Sequence, residues 1–171
     1  MEKSTALTEN DLKHLEHCLS LAKEALDAGD EPFGSILVNH DNQVIATARN
    51  RVNEKNALAH PEIELAHWGA ENLSKEELKN TTMYTSGEHC TMCAAAHGWI
   101  GIGKLVYLSS GEQLGSWLEE FGVSPAPINF ISVEQIIKNV ELKGPVTGGL
   151  LERIKILHRT YHLKLRTDEK K

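Results

Sequence analysis

The motif that decides the fold is divided between two short stretches, His60-Pro61-Glu62 and Glu88-His89-Cys90-Thr91-Met92-Cys93. Together they supply an imidazole, two thiols and a free carboxylate. The imidazole and the two thiols are ligands that zinc prefers. A catalytic zinc takes three protein ligands and keeps one position open, whereas a structural site usually closes with four. The motif therefore predicts a catalytic metal centre, with Glu62 beside it as the group that moves protons.

The spacing of the two cysteines supports one shared ion. Cys90 and Cys93 lie three positions apart, which places both sulfur atoms on one face of a helix's first turn. A lone Cys-x-x-Cys is also typical of a thioredoxin-like redox pair. Redox pairs lack an upstream His-x-Glu, however, and here His60 precedes Cys90 by 30 residues. We therefore favour a zinc site made of His60, Cys90 and Cys93.

The role of Glu62 also has a simpler alternative, because an acidic residue in a first helical turn stabilises the helix dipole. Glu64 would serve that purpose equally well. The position of Glu62, two residues after His60, favours catalysis.

Composition limits the classes of function. The 171 residues carry a formal net charge of −6, with 40% hydrophobic and 25% charged residues. This predicts one domain over 1–171, no membrane span and a cytoplasmic location. Proteins that grip polyanions usually show a basic stripe, and the first 150 residues have none. We expect a small-molecule partner rather than nucleic acid, and a buried, unreactive Cys18.

Hydrophobic periodicity predicts an alternation of helices and short strands. We expect helices over about 9–28, 60–73, 91–99, 112–121 and 148–163, and strands over about 35–38, 44–48, 82–85, 105–108 and 128–131. This order predicts an α/β fold, a three-layer αβα sandwich around a mixed five-stranded sheet. His14 and His17 of the first helix are expected on solvated or flanking faces, and Trp117 and Phe121 in the core or an interface.

The combination of His-x-Glu and Cys-x-x-Cys resembles the zinc-dependent cytidine deaminase superfamily, whose signature is H-x-E followed by P-C-x-x-C. Pro32-Phe33-Gly34-Ser35, Asn50 and Met83-Tyr84-Thr85-Ser86 are similar to the branch that holds guanine, cytosine and tRNA adenosine deaminases. The resemblance covers residues 8 to about 110, and beyond them only the order of helices and strands. It implies bound zinc, a cytidine-deaminase-like fold and a homodimer. The C-terminal helix is expected on or near the active site.

The resemblance also implies residues that contact the substrate. Asn50 is expected to hydrogen-bond the base, and Phe33 to lie against its ring, with a buried wedge between helix and strand as the alternative for Phe33. Trp99 falls in a region that lines the pocket or the subunit contact. Glu112 is a candidate acceptor for the amino groups of a purine.

Two residues depart from the family pattern. Pro61 stands where relatives have Ala or Gly, so a backbone N–H that contacts substrate in relatives is missing here. His89 replaces the usual Pro before the first cysteine. Its possible roles are a fourth metal ligand, a substrate contact, or a residue at the surface or supporting the ligands, and we favour the last.

These features together predict hydrolytic deamination of a nucleobase or nucleoside, with guanine as the first choice of substrate. Cytosine or cytidine is the next choice, and tRNA adenosine is disfavoured by the acidic charge. A zinc-binding interaction module without turnover is the alternative from another class.

Overall fold

The computed structural model describes residues 6–168. Within that part of the chain the elements follow in the order α1 Glu9–Asp27, β1 Gly34–Val38, β2 Val44–Arg49, α2 Pro61–Asn72, α3 Lys75–Lys79, β3 Thr82–Gly87, α4 Thr91–Ile100, β4 Lys104–Ser109, α5 Gly111–Glu120, α6 Val133–Ile136, β5 Glu141–Lys143 and α7 Gly149–Asp168. None of these helices is long and apolar enough to cross a membrane.

The five strands form one mixed sheet in the order β2-β1-β3-β4-β5. β1 pairs antiparallel with both β2 and β3, while β3, β4 and β5 run parallel to one another. The predicted α/β fold with a mixed five-stranded sheet is therefore confirmed.

The central strand β1 shows how the layers form. All five of its residues are buried, and successive side chains point to opposite faces of a strand. Ile36 and Val38 pack with residues of α1, α5 and α7, whereas Leu37 packs on the other side with residues of α2, α3, α4 and α6. The helices thus cover both faces of the sheet, as the three-layer prediction requires. Trp117 and Phe121 are buried in the first of these cores.

Helix α1 begins as the sequence indicates but buries more polar side chains than expected. The Thr8 side chain accepts a hydrogen bond from the Asp11 N–H, and the Asp11 carboxylate accepts one from the Thr8 N–H. His14 is buried and its Nε2 lies 2.7 Å from Asn42 Oδ1. The expectation of a solvated or flanking face is therefore wrong for His14, since a polar partner makes its burial possible.

The predicted fifth strand over 128–131 is wrong. That segment has no regular secondary structure, and Ile128, Phe130 and Ile131 are exposed. The strand is instead Glu141–Lys143, where Leu142 pairs with Leu105 of β4. A parallel pair needs a crossover connection of a dozen or more residues, and the longer route from β4 through α5 and α6 supplies it.

Candidate active site

The three predicted ligands come together at the starts of two helices on the same face of the sheet. His60 is the residue that precedes α2, and Cys90 is the residue that precedes α4. His60 Nδ1 lies 3.7 Å from the Sγ atoms of both Cys90 and Cys93. The three ligand atoms all lie within 4.8 Å of one another.

This spacing fits a tetrahedral ion. With Zn–S bonds of about 2.3 Å and Zn–N bonds of about 2.0–2.1 Å, tetrahedral geometry separates nitrogen and sulfur ligands by about 3.6 Å. The observed separation of 3.7 Å agrees with that value. The donor set of one imidazole and two thiols is also one that zinc accepts.

The local electrostatics favour a thiolate at this point. Contact with the Cys93 thiol lowers the pKa of Cys90 to about 4, and His60 acts in the same direction. The Cys90 contact in turn raises the pKa of His60, against the effect of burial. A thiolate beside an imidazole is the form of cysteine that binds metal ions.

Glu62 lies in the first turn of α2 and is 5% exposed. Burial raises the pKa of its carboxyl group, and the nearby His60 opposes that rise. Its Oε1 lies 3.1 Å from the Ser35 hydroxyl and 3.0 Å from the Thr85 hydroxyl. The carboxylate is therefore buried, oriented by two donors and electrostatically coupled to the ligand cluster.

Sequence reasoning missed the role of Ser35 and Thr85. They are direct partners in the register between β1 and β3, and their hydroxyls are 2.9 Å apart. Both are fully buried within strands that are otherwise rich in apolar residues. A polar side chain in a buried strand needs a partner, and that signal was available in the sequence. Their pairing with each other was not, because it depends on strand register.

Asn50 and Phe33 are held to one another by the backbone. The Asn50 N–H donates to the Phe33 carbonyl at 2.9 Å. Asn50 is 1% exposed, its Oδ1 accepts from the Val52 N–H, and its Nδ2 has no hydrogen-bond partner among the described residues. A buried amide donor without a partner is costly unless a ligand or a water molecule supplies one.

The Phe33 ring packs between the end of β3 and the C-terminal helix. A Cβ atom added at Gly87 would lie 3.2 Å from the Phe33 ring, so this close approach favours glycine. On its other side Phe33 meets His158 of α7 in an edge-to-face arrangement, with ring centroids 4.8 Å apart. The buried wedge and the substrate contact are thus compatible for Phe33, which remains only partly buried.

His89 is buried, which excludes the surface position, while a role in supporting the ligands stays a prediction. It is not part of the ligand cluster of His60, Cys90 and Cys93 in the described chain. His97 Nε2 lies 3.1 Å from the Ile102 carbonyl, which only accepts, so Nε2 carries the proton.

Burial lowers the pKa of His97 to about 4, so its Nδ1 is an acceptor for His89 Nε2, 3.1 Å away. Burial also lowers the pKa of His89. The remaining Nδ1 of His89 is therefore a buried acceptor, and it has no partner among the described residues. A substrate contact by His89 stays a prediction.

Trp99 and Glu112 are exposed, unlike the buried groups described above. Trp99 is on α4 and is 89% exposed. Glu112 is exposed in the first turn of α5. Their roles toward substrate stay predictions.

Comparison with known proteins places the chain in a family. The family model described as MafB19-like deaminase matches residues 9–155. The chain belongs to this family.

Two relatives of similar sequence are described as deaminases of different substrates. A probable cytosine deaminase of Schizosaccharomyces pombe is 34% identical over 122 residues, which cover 71% of this chain and 74% of the relative. A tRNA-specific adenosine deaminase of Haemophilus influenzae is 32% identical over 117 residues, which cover 68% of each protein. This chain is thus a deaminase of the cytidine-deaminase-like superfamily, a hydrolase acting on C–N bonds.

Solved structures agree with that fold. A guanine deaminase from Nitrosomonas europaea superimposes with a TM-score of 0.68 at 22% identity, over 92% of this chain and 86% of its own. A structure from a study of tRNA:A34 deaminases and A-to-I editing gives a TM-score of 0.55 at 30% identity, over 77% of this chain and 97% of its own.

Proposed function

We propose that this protein is a zinc-dependent hydrolytic deaminase of a nucleobase, with guanine as the first substrate. The observation that carries the proposal is the triangle of His60, Cys90 and Cys93 together with the buried carboxylate of Glu62, in the first turn of the helix that His60 precedes. In the reaction a C–O bond forms at the amino-bearing ring carbon, the C–N bond breaks, and ammonia leaves. Water supplies the oxygen atom of the product.

The metal ligands and Glu62 have separate roles in the proposed reaction. Zinc, when bound by His60, Cys90 and Cys93, lowers the pKa of water from about 15.7 to about 7, which makes a nucleophile available at neutral pH. Glu62 takes the proton of the attacking water, passes it to a ring nitrogen and then returns a proton to the departing amine. The Ser35 and Thr85 hydroxyls hold its carboxylate in one orientation for both transfers.

Asn50 and Phe33 position the ring. The unpartnered Nδ2 of Asn50 would donate to a ring nitrogen or carbonyl oxygen, which would remove the cost of leaving that donor unpaired. The Phe33 face would stack on the heterocycle. His89 Nδ1 would accept from an N–H or amino group, and Glu112, in the first turn of α5, is a further candidate for that role.

The choice of guanine follows from the Phe33 position, which resembles guanine deaminases. Cytosine is the second candidate, and the 34% identity to a probable cytosine deaminase favours it. tRNA adenosine is the third, since relatives with that activity exist, but the net charge of −6 works against phosphate binding.

A second copy of the chain is the proposed protein partner. Trp99 exposes almost its whole indole on α4, and exposed tryptophans are enriched at protein interfaces. The helix that carries Trp99 also carries Cys93, so such a dimer would join two metal centres through their ligand helices. Sedimentation of the parent and of Trp99→Ala tests this, and a monomeric parent would contradict it.

The test of function is ammonia release from zinc-loaded protein, with guanine, cytosine, cytidine, adenosine and a tRNA anticodon stem–loop as substrates. The proposal expects guanine to be turned over fastest. Faster turnover of cytosine or of the stem–loop would replace guanine with that substrate while keeping the reaction. If none of them releases ammonia, the alternative of a zinc-binding module without turnover stands instead.

A further inference from the structure

Asp30 is a fully buried carboxylate that the proposed reaction does not use. Its Oδ1 accepts hydrogen bonds from the backbone N–H groups of Asn53, at 2.8 Å, and Glu54, at 3.3 Å. Its Oδ2 accepts from Arg49 Nη1 at 3.1 Å. A buried charge is tolerated only when it is paired and hydrogen-bonded, and here all of its donors belong to the segment around Asn50.

Arg49 extends this arrangement to the backbone of Asn50. The same Nη1 that contacts Asp30 donates to the Asn50 carbonyl at 2.9 Å, and Nη2 donates to Glu54 Oε1. The Asn50 N–H donates to the Phe33 carbonyl. The peptide groups on both sides of Asn50 are therefore fixed.

The fixed backbone also restricts the side-chain amide of Asn50. Its Oδ1 accepts from the Val52 N–H at 3.0 Å, which leaves Nδ2 as the polar atom of the amide that its own loop does not hold. Nδ2 is buried and has no partner in the described chain. If the 50–54 backbone relaxed, the amide would rotate and lose the Val52 contact.

We propose that Asp30 is a positioning residue for the reaction. Through Arg49 and the N–H groups of Asn53 and Glu54, it fixes the Asn50 amide in the orientation that presents Nδ2 to an acceptor on the substrate ring. This inference rests on the proposed function, in particular on Asn50 as the residue that contacts the ring. It implies a substrate edge with a carbonyl oxygen or an unprotonated ring nitrogen.

Asp11 supplies a matched control for a role that is only structural. It is also a buried carboxylate, and it accepts from the Thr8 N–H, the Tyr84 hydroxyl and Lys143 Nζ. None of the hydrogen bonds described for Asp11 reaches the segment around Asn50. Asp11→Asn should therefore destabilise the fold while leaving the Asn50 amide in place.

The first experiment does not require turnover. In nitrogen-15 NMR spectra of the zinc-loaded full chain, the Asn50 side-chain amide is identified by its loss in Asn50→Ala. We expect Asp30→Asn to shift or broaden that signal and to speed hydrogen exchange at the Asn53 and Glu54 amides at least tenfold. Asp11→Asn should leave the Asn50 signal in place, and any faster exchange in it should extend over the whole chain rather than single out Asn53 and Glu54. An Asn50 signal and exchange rates that are unchanged in Asp30→Asn would overturn the proposal.

The second experiment uses the base that the substrate panel shows to be turned over fastest. Asp30→Asn should raise KM about tenfold with less than a threefold change in kcat, because a ring contact present before and during the reaction acts on binding. Adding Asn50→Ala to Asp30→Asn should then cost less than a further twofold. Independent, multiplying effects would overturn the proposal.

Where Asp30→Asn fails to fold, Arg49→Lys gives the same readouts, since a single lysine ammonium cannot reproduce the two nitrogens of the guanidinium, of which Nη1 contacts Asp30 and the Asn50 carbonyl while Nη2 contacts Glu54. If no base is turned over, the proposed function fails, while the NMR experiment still decides whether Asp30 fixes the Asn50 amide.

Discussion

The hydrogen bond between Thr85 and Glu62 gives the sharpest test of how the carboxylate works. Thr85→Val replaces the hydroxyl by a methyl group of similar size and removes a donor 3.0 Å from Glu62 Oε1. A hydrogen bond to a charged group contributes about 1.5–3 kcal/mol. The Ser35 hydroxyl still lies 3.1 Å from the same oxygen, so we expect the lower figure, which corresponds to about a tenfold loss of kcat.

The assay is the initial rate of ammonia release as a function of pH, on the base that is turned over fastest. Thr85→Ser keeps the donor and should stay close to the parent. The double variant Ser35→Ala/Thr85→Val removes both donors and should lose about 100-fold. Burial already raises the pKa of Glu62, and the loss of a donor raises it further. Because the ionised carboxylate is the base, the acidic limb of the profile should move to higher pH.

Thr81→Val controls for stability. Thr81 is also buried, and its hydroxyl donates to the Glu77 carbonyl at 2.8 Å, before β3 begins. It should lose about 1 kcal/mol of folding free energy and keep the parent rate and pH profile. Equal activity in Thr85→Val and the parent, or an equal loss in Thr81→Val, would refute this account of Glu62.

Three further predictions concern the metal and the buried charges. Removal of metal with a chelator should abolish ammonia release and added zinc restore it, and Cys93→Ser should bind zinc at least tenfold more weakly in a competition titration. Burial of Asp11 would raise the pKa of its carboxyl group, but the hydrogen bonds to its carboxylate outweigh that effect and lower the pKa from 3.8 to about 2. The ionised carboxylate therefore contributes about 2 kcal/mol to the free energy of unfolding. This contribution is fully present above pH 3.8 and is lost as the pH falls through 2. Asp11→Asn should therefore lose about 2 kcal/mol in urea unfolding at pH 7, whereas the exposed Glu16→Gln should lose less than about 1 kcal/mol. Burial lowers the pKa of His97 to about 4 and of His158 to about 3, so the folded state favours their neutral forms. The free energy of unfolding should therefore fall below pH 6.5, by about 2 kcal/mol per residue at pH 5. Urea unfolding at pH 7.5 and at pH 5 measures this difference.

The parts of the fold that the sequence predicts are those set by local patterns. The capping pair of Thr8 and Asp11 and the 3.6-residue periodicity locate α1 within one residue of its observed end. The same periodicity places His14 on the face of Cys18, four residues later, and only the polarity of His14 argued for solvent. The metal ligands could also be predicted from the sequence, because the residue spacing within each half of the motif is local.

The fifth strand failed for a physical reason. The segment 128–131 has strand-like residues but follows Pro125 and Pro127, which cannot donate to a sheet. The observed β5 has three residues, too few to show an alternation, and it is held by pairing with β4 and by the Lys104–Glu141 ion pair. Such contacts depend on the assembled sheet.

The supports of the candidate site were hidden for a similar reason. Ser35 meets Thr85, 50 residues away, only through the register of two strands. Asp30 meets Asn53 only after the chain has returned through β1 and β2. Spacing along the sequence shows which groups have reactive chemistry, but the hydrogen bonds that orient them appear when distant segments pack.

The most direct test of the central claim combines two readings on purified Glu62→Gln and on its parent: zinc content per chain and ammonia release from the substrate panel. The account predicts about one zinc per chain in both proteins and ammonia from the parent alone. Parent-like turnover in Glu62→Gln, or a parent that releases ammonia with no metal bound, would contradict it.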